Sequence, residues 1–380
     1  MSEPLKKPGH QPESYDPRTP EIVSMVEQAQ GNARPGKVYK VKTENGGAYI
    51  SGIPRLKWGQ WQDCTYSGAM ALIFDAMGVK TSYEQLMGLS GACYQAIMNE
   101  GWGPDTKMPQ VGVNCEHNAP LALGIKAYSL KNEKKRDARV MKNLDNGFPI
   151  LVCGQRHVPL WTVLTGYEKT DAGVKFFGRS YCDNQGARED EIFTDNQYHL
   201  ADRYPGDCPH ALLRFYDQKR KPLPPRMALK ISLETCIKTF DPAQAVYKKC
   251  EGYDAYDIFI AGFELSDEEY RAKCQGGHYH VGCLMDARRA AYIYLRESAT
   301  LLTGENRARL MQASAIYQAM LNNMLAAVPY ETLDLNGNEK IMLNAEQRQA
   351  LAKALRKNKG LEKEVRMIVA DILRHWRDRK

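Results

Sequence analysis

KWGQWQDCTYSGAMALIFDAMG, Lys57 to Gly78, is the stretch from which the fold is read, and Cys64 lies at its centre. Ahead of Cys64, the residues Trp58, Gln60, Trp61, Gln62 and Asp63 show no helical period. Behind it, Ala69, Leu72, Ile73, Ala76 and Met77 recur at i, i+3, i+4, i+7 and i+8, which is one apolar helix face. Gly78 supplies a helix stop. Cys64 is therefore expected where a loop enters a buried helix. The N–H groups and partial positive charge of a helix N-terminus stabilise a thiolate. The same N–H groups, with a nearby glutamine, can hold a developing oxyanion. The plainer alternative is an inert buried thiol, since cysteine is among the most buried residue types.

The surrounding chain has 380 residues, 43% hydrophobic and 26% charged, which fits two or three ordinary globular domains. No apolar run approaches the roughly 18 residues a bilayer-spanning helix needs, so no membrane partner is expected. The polar, proline-rich start, MSEPLKKPGHQPESYDPRTPE, has no apolar signal region. With ten scattered cysteines, that composition points to reduced thiols in the cytoplasm. The net charge is +7, and residues 351–380 hold ten Lys or Arg against four Asp or Glu. Without interleaved aromatics this stripe is a solvated helix face, and nucleic acid is not an expected partner.

Residues 1–36 are too polar and proline-rich to bury a core and are expected to be a disordered or extended tail. KVYKVK and GAYISGI suggest two short strands around Glu44–Gly47. Ser82 and Gln85 form a capping box for a short helix, and residues 90–110 are expected to begin as helix. Helical pattern returns near 134–145 and stops at Asn146-Gly147. The period then changes to two in PILVCG, TVLTGYE, VKFFGRSY and HALLRFY. A helix-rich half followed by an antiparallel sheet makes residues 37–220 an α+β domain. KPLPPR, 221–226, is a proline-rich linker, and 227–380 is an all-α domain whose last helix starts at the Asn344/Gln347 capping box.

DCTYSGAMALIFDAMGVKTSYEQLMGLSGACY, residues 63–94, resembles the N-terminal domain of the butirosin-biosynthesis-protein-H-like family. The likeness extends through Trp102-Gly103-Pro104, Thr165-Gly166-Tyr167 and Gly178-Arg179-Ser180-Tyr181. It continues into Gly252-Tyr253-Asp254-Ala255-Tyr256 and Asp286-Ala287-Arg288-Arg289-Ala290-Ala291, and covers roughly residues 50–330. The resemblance implies a papain-like, cysteine-peptidase-type domain in which the cysteine helix packs on an antiparallel sheet. It also implies a thiol nucleophile that acts as a hydrolase or acyltransferase. The substrate would be a small-molecule or peptide amide, or a carrier-protein thioester, and neither cofactor nor metal is implied.

In the relatives the catalytic histidine lies about six residues before the Gly-Tyr glycine, a position held here by Leu160. The nearest histidine is His157; the relatives' asparagine position corresponds to Arg179-Ser180-Tyr181, whose nearest carboxylate is Asp183, so these are the candidate base and orienting group for Cys64. Each has an ordinary reading as well, His157 in a surface loop and Asp183 in an Asp-Asn-Gln-Gly turn. Gln60 is the candidate oxyanion donor, and Trp58 and Trp102 are candidate substrate-binding aromatics. Leu160 leaves a second function open, an inactive papain-like fold serving as a binding or scaffold protein. Cys274, His278, His280 and Cys283 have zinc-capable chemistry at a tight spacing. Residues 334–345 lack the glycine and glutamate of a calcium loop. Finally, Asp286 or Arg288, set in an apolar helix, is expected to form an ion pair at the domain interface or at the mouth of the Cys64 site.

Overall fold

A computed structural model describes residues 39–42, 46–57, 59–98, 100, 102, 117–128, 136–153, 160–171, 173–181, 193–194, 198–201, 212–218, 221–241, 243, 250–273, 277–333 and 342–376. The fold combines helices with an antiparallel sheet and ends in a helical region. At the sheet's centre, β4 (Ile150–Cys153) pairs with β5 (Trp161–Thr170), which pairs in turn with β6 (Gly173–Arg179). Outside β4 lies β9 (Leu212–Gln218), followed by β3 (Ile125–Tyr128). Outside β6 lie β8 (Tyr198–Ala201) and β7 (Phe193–Thr194). The expected N-terminal hairpin is present as β1 (Tyr39–Lys42) and β2 (Ala48–Ser51), and β2 docks on the far half of β5.

The central strands are apolar on both faces because both faces are covered. Ile150, Val152 and Leu164 point into one core, where Val140 and Leu144 of helix α4 (Arg136–Asp145) meet them. Leu151, Cys153, Trp161 and Val163 point into the other core. That second core is filled by helix α1 (Thr65–Ala76) and the C-terminal helices. The sequence pattern of α1 holds to its end: Val79 N–H bonds to Phe74 C=O at 2.8 Å and Gly78 N–H to Asp75 C=O at 2.9 Å, a Schellman stop.

Helix α2 (Tyr83–Ser90) begins at the expected capping box. The helix expected to begin at residue 90 is instead a single 3-10 turn, Ala92–Tyr94. Gly91 ends α2 in the left-handed region at φ 85°, Gln95 is extended, and Arg288 holds the carbonyls of Cys93 and Gln95, both at 2.9 Å. A five-residue helix, α3 (Asn118–Ala122), precedes β3.

The C-terminal region holds α5 (Pro225–Lys238), α6 (Tyr253–Phe263), α7 (Asp267–Lys273), α8 (Gly277–Ser298), α9 (Gly304–Ala327) and α10 (Ala345–Arg374). Among the described residues no helix is long and apolar enough to cross a membrane. Helix α8 passes against α2 so closely that a Cβ on Gly88 would lie 2.1 Å from the Tyr294 ring. Only glycine allows this approach. On another side of α8, Arg288 pairs with Glu362 of α10 at 2.6 Å, and both side chains are fully buried. Tyr256 donates to Glu362 at 2.9 Å, so the carboxylate has a second donor.

Removing one half of a buried, hydrogen-bonded ion pair leaves the other charge uncompensated, which costs about 3–5 kcal/mol. Arg288→Met should therefore lower unfolding stability by about that amount. The double variant Arg288→Met/Glu362→Leu should recover most of the loss in urea titrations. Equal destabilisation by the single and double variants would contradict this account of the pair.

Candidate functional site

Cys64 is the N-cap residue of α1, as the loop-to-helix change in the sequence predicts. Its carbonyl accepts the first helical hydrogen bond, from Gly68 N–H at 2.9 Å. Its thiol donates to Ser67 Oγ at 3.4 Å. The N–H groups of Tyr66 and Ser67 favour the thiolate, as a helix terminus should. Burial outweighs them. The residue is 4% exposed, and desolvation, aided by the nearby Asp286 carboxylate, pushes the thiol up to about 11.

Two strand ends converge on this first turn. At the start of β5, Trp161 N–H donates to Thr65 Oγ1 at 3.3 Å. Just beyond β6, Tyr181 OH donates to the Thr65 carbonyl at 3.4 Å. The Tyr181 hydroxyl also lies against Gly68, where a Cβ would sit 2.0 Å from it. Glycine in the first turn of α1 is what lets this strand end approach the helix.

The preceding loop is held from a distance in sequence. Asp63 N–H donates to Asp286 Oδ2 at 3.0 Å, and Cys64 N–H donates to Tyr83 Oη at 2.9 Å. Tyr83 OH in turn donates to Asp286 Oδ2 at 2.6 Å. Arg289 donates to the Trp61 carbonyl at 2.8 Å, to Glu84 at 2.9 Å and to Asp286 Oδ1 at 3.3 Å. From the 3-10 turn Tyr330–Thr332, Tyr330 stacks on Trp61 with centroids 3.7 Å apart. Tyr330 Oη accepts Trp61 N–H at 3.1 Å and donates to Asp63 Oδ2 at 2.5 Å.

Asp63 and Asp286 are both fully buried. Their environments differ, and this decides where a proton sits. Asp286 faces Arg289, Tyr83 OH and Asp63 N–H, all of which favour its charge, although burial still raises it. Asp63 has a less complete set of donors. Desolvation and the Asp286 charge push it up to about 8, against the Tyr330 and Gly59 hydrogen bonds. A proton taken up by the pair therefore favours Asp63, and the charge favours Asp286.

The other sequence candidates fall in different places. His157, Asp183 and Trp58 lie outside the described residues. Gln60 is exposed on the loop ahead of Asp63. Trp102 is 3% exposed, and its ring makes edge contacts with Phe263 at 5.3 Å and Phe259 at 6.0 Å, so it packs against α6. Of the zinc-capable group, Cys274 is outside the described residues, while His280 and Cys283 are buried one turn apart on α8. Among the described residues no three His, Cys, Asp or Glu side chains gather as a metal site. Asp286 and Arg288 do find ion partners, Arg289 and Glu362. Tyr83 and Tyr330 were not anticipated, because tyrosines inside apolar patterns look like ordinary core residues. Compared with protein-family models and with curated proteins, the chain matches none.

The Asp63 proton has a thermodynamic consequence. An unfolded aspartate titrates near 4, so the folded state binds this proton more tightly. Its contribution to stability is full below about pH 4 and is lost as pH rises through about 8. Asp63→Asn cannot titrate. The stability of wild type minus that of the variant, from urea titrations between pH 5 and 9, should therefore fall as pH rises. A difference that does not change with pH would refute the proton assignment.

Proposed function

We propose that the chain is a cysteine-nucleophile enzyme of papain-like type, acting on an amide or thioester by hydrolysis or acyl transfer. The observation that carries this reading is the convergence at the first turn of α1. Cys64 stands at a helix N-terminus against an antiparallel sheet, and two strand ends reach Thr65 beside it. Trp161, which makes one of those contacts, is four residues after His157 in the chain. Tyr181, which makes the other, is two residues before Asp183.

In this mechanism His157 takes the Cys64 proton, and Asp183 orients the imidazole. The thiolate attacks the acyl carbon, and the carbonyl π pair moves onto oxygen to give a tetrahedral oxyanion. Gln60 is the proposed side-chain donor to that oxyanion. Collapse of the intermediate expels an amine or thiol, which takes the proton from His157. The S-acyl cysteine is then released to water or to an acceptor amine. The substrate is a small molecule, a peptide or a carrier-bound thioester.

A second reading, an inactive papain-like scaffold, is favoured by one specific feature. Cys64 is shielded, its thiol is pushed up to about 11, and its N–H is already bonded to Tyr83. Titrating the thiol separates the two readings. For an enzyme, iodoacetamide should label Cys64 ahead of the other cysteines at mildly acidic pH, and His157→Ala should slow that labelling at least tenfold, the effect of about one pH unit of lost thiolate stabilisation. Labelling that rises only toward pH 11 and is indifferent to His157→Ala would retire the enzyme reading.

A further inference from the structure

The loop Gly59–Cys64 does little to hold itself together. Its one internal side-chain bond is from Gly59 N–H to Asp63 Oδ1 at 2.9 Å. Within it, Trp61 has φ 62°, a left-handed conformation that is costly for a bulky side chain. Such strain persists only where the surroundings over-determine it. Here the surroundings are distant in sequence. Trp61 C=O is held by Arg289 and its N–H by Tyr330. The N–H groups of Asp63 and Cys64 lead to a single atom, Asp286 Oδ2, the first directly and the second through Tyr83.

We infer that Asp286 is a positioning residue for the Cys64 thiol: through the Asp63 N–H and through Tyr83 it fixes the approach to α1 and sets the charge that the sulfur faces. The inference rests on the proposed function only in taking Cys64 as the nucleophile. A helix that merely packed on α1 would need no carboxylate here. Leucine would fill the same space without a desolvation cost. A fully buried aspartate with three donors aimed at it, two of them leading to the nucleophile loop, is a more expensive arrangement with a more specific result.

The charged and titratable groups around the thiol define what a test must separate. From its own loop comes Asp63, and from α2 come Tyr83 and Glu84. From α8 come Cys283, Asp286 and Arg289. Tyr181 and Tyr330 complete the set. Within it, Asp286 is the charged carboxylate tied to the Cys64 backbone, and Arg289 is the cation that partly neutralises it. Changing these two residues should therefore move the thiol in opposite directions.

The experiment is the pH profile of Cys64 labelling by iodoacetamide in the full chain, followed by peptide mass spectrometry. Asp286→Asn keeps an acceptor oxygen but removes the charge. Its midpoint should move to lower pH by about one unit, a roughly tenfold faster rate at pH 7. Arg289→Gln leaves Asp286 less neutralised, and its midpoint should move to higher pH. Because Arg289 is at the edge of the buried region, this variant keeps the test available if Asp286→Asn does not fold. Midpoints of the folded variants coincident with wild type would overturn the inference. Repeating both variants in the His157→Ala background separates the two proposals. Opposite shifts that persist there support the role of Asp286, even where His157→Ala itself has no effect and the enzyme reading falls.

Discussion

Three charged residues within one turn of a buried helix, Asp286, Arg288 and Arg289, constrain nearly everything around them. Unpaired, each would cost several kcal/mol in a protein interior. Each instead finds partners on neighbouring segments. Arg288 reaches α10 through Glu362 and the 92–94 turn through two carbonyls. Arg289 reaches α2 through Glu84 and the Gly59–Cys64 loop through Trp61. Asp286 reaches the same loop and α2 through Asp63 and Tyr83. The helix can occupy the core only in the register that satisfies all three residues. Pairing of buried charges thus sets geometry even where its net contribution to stability is small.

Much of the secondary structure was legible because its causes are local. The capping boxes at Ser82/Gln85 and Asn344/Gln347 each depend on residues three apart. The α1 apolar stripe and its glycine stop come from the same short-range rules. Two segments depart from the sequence pattern. Residues 92–94 form one turn between a left-handed Gly91 and an extended Gln95, with the Cys93 carbonyl held by an arginine 195 positions later. Helix α8 begins at Gly277, so His280 and Cys283 of the zinc-capable group are buried residues of that helix.

The candidate site divides the same way. That Cys64 caps a buried helix follows from one change of period in twenty residues. That Asp63 and Asp286 share an environment does not, since each has unremarkable neighbours in the chain and the two are 223 positions apart. The clue was chemical: a charged trio interrupting an apolar helix demands partners. It says nothing about which partners, and Tyr83 and Tyr330 carry no mark that separates them from other core tyrosines.

Magnitudes decide what Cys64 can do. A helix terminus contributes about 0.3–1 kcal/mol to a nearby charge, up to about 2 in partly buried geometry. This favours the thiolate by at most one or two pH units. Burial and the Asp286 carboxylate act in the opposite direction and prevail, leaving the thiol near 11. At neutral pH the helix end therefore leaves Cys64 overwhelmingly in its thiol form. Nucleophilic chemistry at this position needs a cation brought to the sulfur, and an imidazolium at the first turn of α1 would supply it. Without such a cation the same residues make a quiet, well-packed core. The two functional readings thus differ by one charge at one place, and the acidic pair behind the loop makes that charge decisive.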